Sequence, residues 1–232
     1  MSILVESRQL CKSYGKKPVL KNLDFQIESG KIVGLLGPNG SGKTTLIKIL
    51  AGLLKNDGGT VTVTGMPIGI ETKKIVSYLP ERTYFSPAMK VKETMDFFEQ
   101  FYTDFNRQTA SEMLTKLEIS ENARIKELSK GTREKVQLVL VMSREARLYL
   151  LDEPMGGVDP AARDYILRTI LANYNPEAGI IISTHLISDV EKILDEVIFV
   201  KQGEIVLQQS VDQIRANYQK SVDAVFREVF AC

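Results

Sequence analysis

Gly37-Pro38-Asn39-Gly40-Ser41-Gly42-Lys43-Thr44 is the stretch on which the fold turns. Its spacing is G-x-x-x-x-G-K-[ST], and it stands between an unbroken apolar run, Ile32–Leu36, and a helical pattern, Thr44–Leu54. A strand buried on both faces reads as such a run. A helix opening straight after glycines offers unpaired N–H groups and the positive end of its dipole. The glycines let successive backbone N–H groups wrap a polyphosphate, Lys43 sets a cation at the β- and γ-phosphates, and the Thr44 hydroxyl is placed to ligate Mg²⁺.

The surroundings fit a sheet. Ile3–Val5 is apolar, Lys12–Lys17 is a polar turn around Gly15, and Leu23, Phe25 and Ile27 alternate as in a half-buried strand. Asn56-Asp57-Gly58-Gly59 turns the chain into another alternating strand, Thr60–Thr64. From residue 87 to 127 glycine is absent and apolar residues recur at helical spacing (Met95, Phe98, Phe101, Tyr102, then Met113, Leu114, Leu117). That predicts a helical insertion, with helix continuing to about Ala146. Strand-like runs return at Leu148–Leu151, Ile180–Ser183 and Val197–Lys201, and Val211–Phe230 reads as helix. Strands alternating with helices predict an α/β fold with a mainly parallel, doubly wound sheet.

Composition narrows the function. Of 232 residues, 44% are hydrophobic and 25% charged, as in ordinary globular proteins. Lys+Arg at 30 against Asp+Glu at 29 leaves no net field to favour nucleic acid or an anionic membrane, so no nucleic-acid partner is expected. No apolar run approaches the roughly 18–20 residues of a membrane-crossing helix. The N-terminus lacks the basic and apolar regions of a signal peptide. Action at a membrane would therefore need another chain to supply the span. Cys11 and Cys232 lie at opposite ends of the sequence and suggest neither a disulfide framework nor a metal site, so a reducing cytosol is expected.

Two further features converge on phosphate chemistry. Leu148-Tyr149-Leu150-Leu151-Asp152-Glu153 is an apolar strand ending in two acids. Asp152 at the strand end can hold Mg²⁺ beside the phosphate loop, and Glu153 is sited to polarise a water in line with the γ-phosphate. The single histidine, His185, follows the apolar run that ends Ile182-Ser183-Thr184. A parallel strand there would deliver it to the same carboxyl edge, where ligands of open α/β sheets bind.

Taken together, these motifs resemble the ATP-binding cassette (ABC) transporter family, over essentially the whole chain. Walker A is Gly37–Thr44, Walker B with its acid is Leu148–Glu153, and the usual L-S-G-G-Q signature appears as Leu128-Ser129-Lys130-Gly131-Thr132. The D-loop is Gly156-Gly157-Val158-Asp159, and His185 is the switch histidine. The resemblance implies a P-loop NTPase (RecA-like) core over 1–86 and 147–232, with an N-terminal antiparallel β subdomain. A helical signature subdomain over 87–146 is inserted, all within one cassette spanning 1–232. It implies ATP and Mg²⁺ as cofactors. Tyr14 would stack on adenine; Gly37, Pro38, Asn39, Gly40, Ser41, Gly42, Lys43, Thr44 and Thr45 would hold the phosphates; Thr44, Glu81 and Asp152 would hold Mg²⁺. Glu153 would be the general base, His185 would contact the γ-phosphate and the attacking water, and Asp159 would communicate between sites. Ser129, Lys130 and Gly131 would complete the site of a second cassette, identical or different, in a head-to-tail dimer. Read alone, Leu128–Thr132 is only a plausible helix cap.

Three departures from the family pattern stand out. Glu81 occupies the place of the usual loop Gln, and a carboxylate is a hard donor that can still ligate Mg²⁺. Lys130 and Thr132 replace a Gly and the Gln of the signature, and Lys130 either adds a cation near the opposing γ-phosphate or stays solvated. Gly156 replaces the D-loop Ser. The leading function is the ATPase of an exporter of peptides, antibiotics or lipids, peripheral on the inner face of the cell membrane through a separate permease. The helical insertion and the Glu81 loop, rich in Phe85, Phe97, Phe98, Phe101, Tyr102 and Phe105, would form its docking surface. Too little chain separates Lys43 from Asp152 for the coiled coils of chromosome-maintenance ATPases. A small-molecule kinase and a soluble regulatory ABC ATPase remain as alternatives.

Overall fold

The computed structural model describes residues 2–156, 160–173, 175 and 177–231. The chain begins β1 (Ile3–Tyr14), β2 (Lys17–Glu28), β3 (Ile32–Leu36), α1 (Lys43–Leu50), β4 (Gly58–Val63) and β5 (Met66–Pro67). It continues through α2 (Ile70–Ile75), β6 (Val76–Leu79), α3 (Val91–Phe101), α4 (Arg107–Lys116) and α5 (Lys130–Met142). After β7 (Leu148–Asp152), α6 (Pro160–Asn173) and β8 (Gly179–Thr184) come α7 (Ile187–Val190), β9 (Glu196–Lys201), β10 (Glu204–Ser210), α8 (Val211–Tyr218) and α9 (Val222–Phe230).

Two sheets result. An antiparallel one has the order β2-β1-β4-β5, and a larger one has the order β10-β9-β3-β8-β7-β6. In the larger sheet β9, β3, β8, β7 and β6 are parallel, and β10 pairs antiparallel at the edge. Every residue of β3, β7 and β8 is buried, which is why those strands read as unbroken apolar runs. Successive side chains still point to opposite faces. Ile32, Leu36, Tyr149, Leu151, Ile180 and Ile182 pack into the core shared with the helices. Val33, Leu35, Leu148, Leu150 and Ile181 pack into the other, with α1 and the antiparallel sheet.

Three helix ends differ from the sequence expectation. α1 stops at Leu50 rather than Leu54, because Gly52 turns the chain at φ 68°. α5 stops at Met142 rather than about Ala146. The Ser143 carbonyl there accepts from Asn106 N–H at 2.7 Å, and Arg144 is drawn into an ion pair. The C-terminal stretch is two helices, broken where Gln219 adopts φ 54° and restarted by Ser221, whose Oγ accepts from Ala224 N–H.

Arg144 is 3% exposed and ties the helices to the sheet. Its Nε and Nη2 donate to the two oxygens of Asp104 at 2.9 and 3.0 Å. Nη1 donates to the Val76 carbonyl at 2.6 Å and Nη2 to that of Lys74 at 2.7 Å. Its guanidinium carbon lies 3.8 Å from the Tyr102 ring centroid, a cation–π distance. Among the described residues no helix is long and apolar enough to cross a membrane.

Candidate functional site

The parallel strands carry the singled-out residues to one edge of the sheet. Leu36 at the end of β3 lies beside Thr184 of β8, and Asp152 at the end of β7 lies beside Ser183. The phosphate loop, Glu153 and His185 therefore emerge side by side, and Glu81 follows two residues after β6. A cleft of about 1360 Å³ opens there. Tyr14, Asn39, Gly40, Gly42, Lys43, Thr44, Thr45, Glu81, Lys130, Glu153 and His185 lie on its walls. Gly37, Pro38 and Ser41 form the body of the loop, and Asp152 lies buried at 1% exposure. Ser129 and Gly131 stand at the N-terminus of α5 and are not among the cleft's lining residues. Asp159 lies outside the described residues.

Glycine is needed at two points of the loop. Gly42 sits at φ 113°, and a Cβ there would meet Leu20 Cδ2 at 2.7 Å. A Cβ on Gly37 would fall 2.3 Å from the Val200 carbonyl oxygen. Lys43 is 6% exposed and donates to the Gly37 carbonyl at 2.7 Å and the Pro38 carbonyl at 3.2 Å. Burial lowers its pKa, while the charges of Glu153 and Asp152 oppose that shift. Its ammonium thus lies inside the loop, within reach of the charges of Glu153 and Asp152.

Asp152 is half satisfied. Its Oδ1 accepts from Ser183 Oγ at 2.5 Å and Thr44 Oγ1 at 3.2 Å. Its Oδ2 is buried with no hydrogen-bond partner. A buried carboxylate oxygen without a donor, beside a threonine hydroxyl, fits a divalent cation that takes most of its remaining ligands from water and phosphate. Ser183 also accepts from the Glu153 N–H at 3.2 Å, so one hydroxyl braces both acids. Sequence reasoning missed it, since two hydroxyls, Ser183 and Thr184, close the run Ile180-Ile181-Ile182 and nothing marks which of them faces an acid.

Glu153 adopts φ 51°, unusual for a side chain with a Cβ, and its Oε2 lies 3.0 Å from His185 Nδ1. The Glu153 side chain is 13% exposed and that of His185 55%, so the acid is the more enclosed member of the pair. Lys130 is 71% exposed and reaches Glu134 Oε1 only at 3.8 Å. Burial raises the Glu134 carboxyl, against the charges of Lys130 and Arg133. Ser129 Oγ accepts from Thr132 N–H at 3.1 Å, so the cap reading of the signature is realised. Arg82, Arg133 and Glu134 also line the cleft, unflagged by any motif.

Burial raises the Asp152 carboxyl above its ordinary 3.8; the Ser183 and Thr44 hydroxyls oppose this, and the negative charges of Glu81 and Glu153 add to it. A carboxyl with a raised folded-state pKa contributes stability below its unfolded pKa and loses it as pH rises through the folded value. In Mg²⁺-free buffer at neutral pH, Asp152→Asn is therefore expected to raise Tm. That advantage should shrink as pH falls toward 4. Calorimetry at neutral and acid pH checks this, and equal melting of the two chains at neutral pH would refute it.

The family model for "ABC transporter" matches residues 20–156. The chain is 30% identical over 220 residues to the ABC transporter ATP-binding protein YtrB of Bacillus subtilis (strain 168), covering 94% of this chain and 75% of that one. It is 31% identical over 227 residues to the SkfA peptide export ATP-binding protein SkfE of the same organism, covering 94% and 95%. Among solved structures, one titled as the ATP-binding subunit of an ABC transporter superposes with a TM-score of 0.86 at 27% identity, covering 97% of this chain and 99% of that one.

Proposed function

Because this chain belongs to the ABC transporter family as an ATP-binding subunit, we propose that it hydrolyses ATP to drive a separate membrane permease. The observation that carries hydrolysis is the Glu153–His185 pair at 3.0 Å, beside Lys43 and the half-satisfied Asp152. Glu153 takes a proton from water attacking the γ-phosphate, His185 Nδ1 holds the carboxylate in place, and Lys43 meets the phosphate oxygens. Mg²⁺, held by Thr44 and Asp152 with Glu81 in the same cleft, would neutralise charge between the phosphates. Tyr14, half exposed at the mouth of the cleft, offers a ring to adenine.

Ser129 and Gly131 complete the site of a second cassette, and their place at the N-terminus of α5, the positive end of a helix dipole, supports this. The exposed Lys130 adds a cation to the opposing γ-phosphate, and Asp159 links the two sites. The helices of 87–146 form a signature subdomain inserted into the core of 1–86 and 147–232. The chain sits on the inner face of the membrane through its permease. Relatives named for peptide and Nod factor export support an exporter.

Light scattering with and without Mg²⁺ and a non-hydrolysable ATP analogue tests the dimer. The molar mass should double only with nucleotide, and less completely for Lys130→Gly. A monomer that binds the analogue would mean that another cassette or the permease completes the site. A chain that does not bind it would overturn the site assignment.

A further inference from the structure

The turn at Asn56–Gly59 does more than reverse the chain. Asn56 Nδ2 donates to the Gly58 and Gly59 carbonyls at 3.1 and 3.0 Å, which holds the turn closed. Gly59 lets the turn press against β1, since a Cβ there would fall 2.1 Å from the Gln9 carbonyl oxygen. Asp57 is thereby set beside the last residues of β1. Its N–H donates to the Cys11 carbonyl at 2.9 Å. Its Oδ2 accepts from the Ser13 N–H and its Oδ1 from Lys12 Nζ, both at 2.7 Å. β4 begins at Gly58, opposite Cys11, so residues 12–14 run past its end. The Asp57 carboxylate stands in for a strand partner at Ser13, whose backbone donor would otherwise turn to solvent. The Lys12 side chain, 12% exposed, is held with its ammonium 6.0 Å from the Tyr14 ring centroid, the outer limit of a cation–π contact. Tyr14 itself ends β1 opposite Lys17 and stays 52% exposed.

We infer that Asp57 is a positioning residue for the nucleotide base: by fixing the Ser13 backbone and the Lys12 ammonium, it holds the Tyr14 ring as a ready platform at the mouth of the cleft. This rests on the reading that Tyr14 stacks on adenine, and it assigns the geometry of that stack to a carboxylate on a different strand connection. An exposed ring at the end of a strand would otherwise have to be ordered when the base arrives, at a cost to affinity that prior ordering removes. Lys12 and the Ser13 N–H hold the Asp57 carboxyl below its ordinary 3.8, so the clamp is charged at neutral pH.

Calorimetric titration with a non-hydrolysable ATP analogue and with inorganic tripolyphosphate, both with Mg²⁺, separates base contacts from phosphate contacts. Asp57→Ala should weaken the analogue about five-fold and leave tripolyphosphate within about two-fold, which also shows that the variant folds. Asp57→Asn can still accept from the Ser13 N–H but gives up the charge facing Lys12, so its loss should be only about two-fold. Tyr14→Ala should weaken the analogue about ten-fold. Adding Asp57→Ala to Tyr14→Ala should cost nothing more, because the platform is already gone. Equal losses on both ligands would make Asp57 a structural staple of β1 and overturn the proposal. Additive losses in the double variant would do the same. A loss for Tyr14→Ala with none for Asp57→Ala would overturn the positioning role while leaving the stack intact. If Tyr14→Ala itself binds the analogue normally, the stacking reading fails and the positioning role falls with it.

Discussion

Glu153→Gln should reduce ATP turnover by about 10²–10⁴-fold, the usual contribution of a general base, while ATP affinity stays within a few-fold. The reason is local. Gln has the shape of Glu, and the backbone N–H of residue 153 would keep its bonds to the Ser183 carbonyl and hydroxyl. An amide can still meet His185 but cannot take a proton from water. In the proposed site, binding draws on the loop glycines and Lys43, which the substitution does not touch. The proposed dimer should then stay closed on ATP instead of being released. Phosphate release and equilibrium nucleotide binding measure the two halves of this expectation. A loss of only a few-fold in turnover would place the base elsewhere. A parallel loss of affinity would make Glu153 a binding residue.

The second large effect is on stability. Asp104→Ala should cost about 3 kcal/mol, the lower part of the range for removing one partner of a buried ion pair. For a chain of this size that lowers Tm by roughly 6–12 °C. Arg144 keeps its two carbonyl partners, which holds the cost near that lower end, but its charge would stay in the interior without a counter-ion. A Tm drop of a degree or two would mean that the carbonyls and the Tyr102 ring suffice.

The sheet and the phosphate loop were legible because their requirements are local. Burial on both faces demands unbroken apolar runs, and a wrapped phosphate demands glycines at fixed offsets. What the sequence hid depends on distant partners. The end of α5 at Met142 answers to Asp104, far back in the chain, which no periodicity reports. Ser183 is silent because a buried hydroxyl in a strand looks the same whether or not an acid lies across from it. Phe97 and Phe98 are adjacent and chemically identical; only the packing of α3 leaves the first 44% exposed and the second 3%. The break at Gln219 uses a left-handed residue that is not glycine, so it carries no compositional mark.

The six-stranded sheet is also a partition. Residues alternate so strictly along β3, β7, β8 and β9 that the two apolar compartments on either side are lined by different side chains. Ile181→Val would disturb one compartment and Ile182→Val the other, although the two residues are neighbours. The cleft sits on the rim of that wall, at the tips of the strands. Damage in the compartment shared with the helices reaches it through the displacement of a strand end, and damage in the other also through α1, whose first residues line the cleft. The wall therefore insulates the chemistry from most of the interior while leaving it responsive to whatever moves β6, β7 or β8 as a unit.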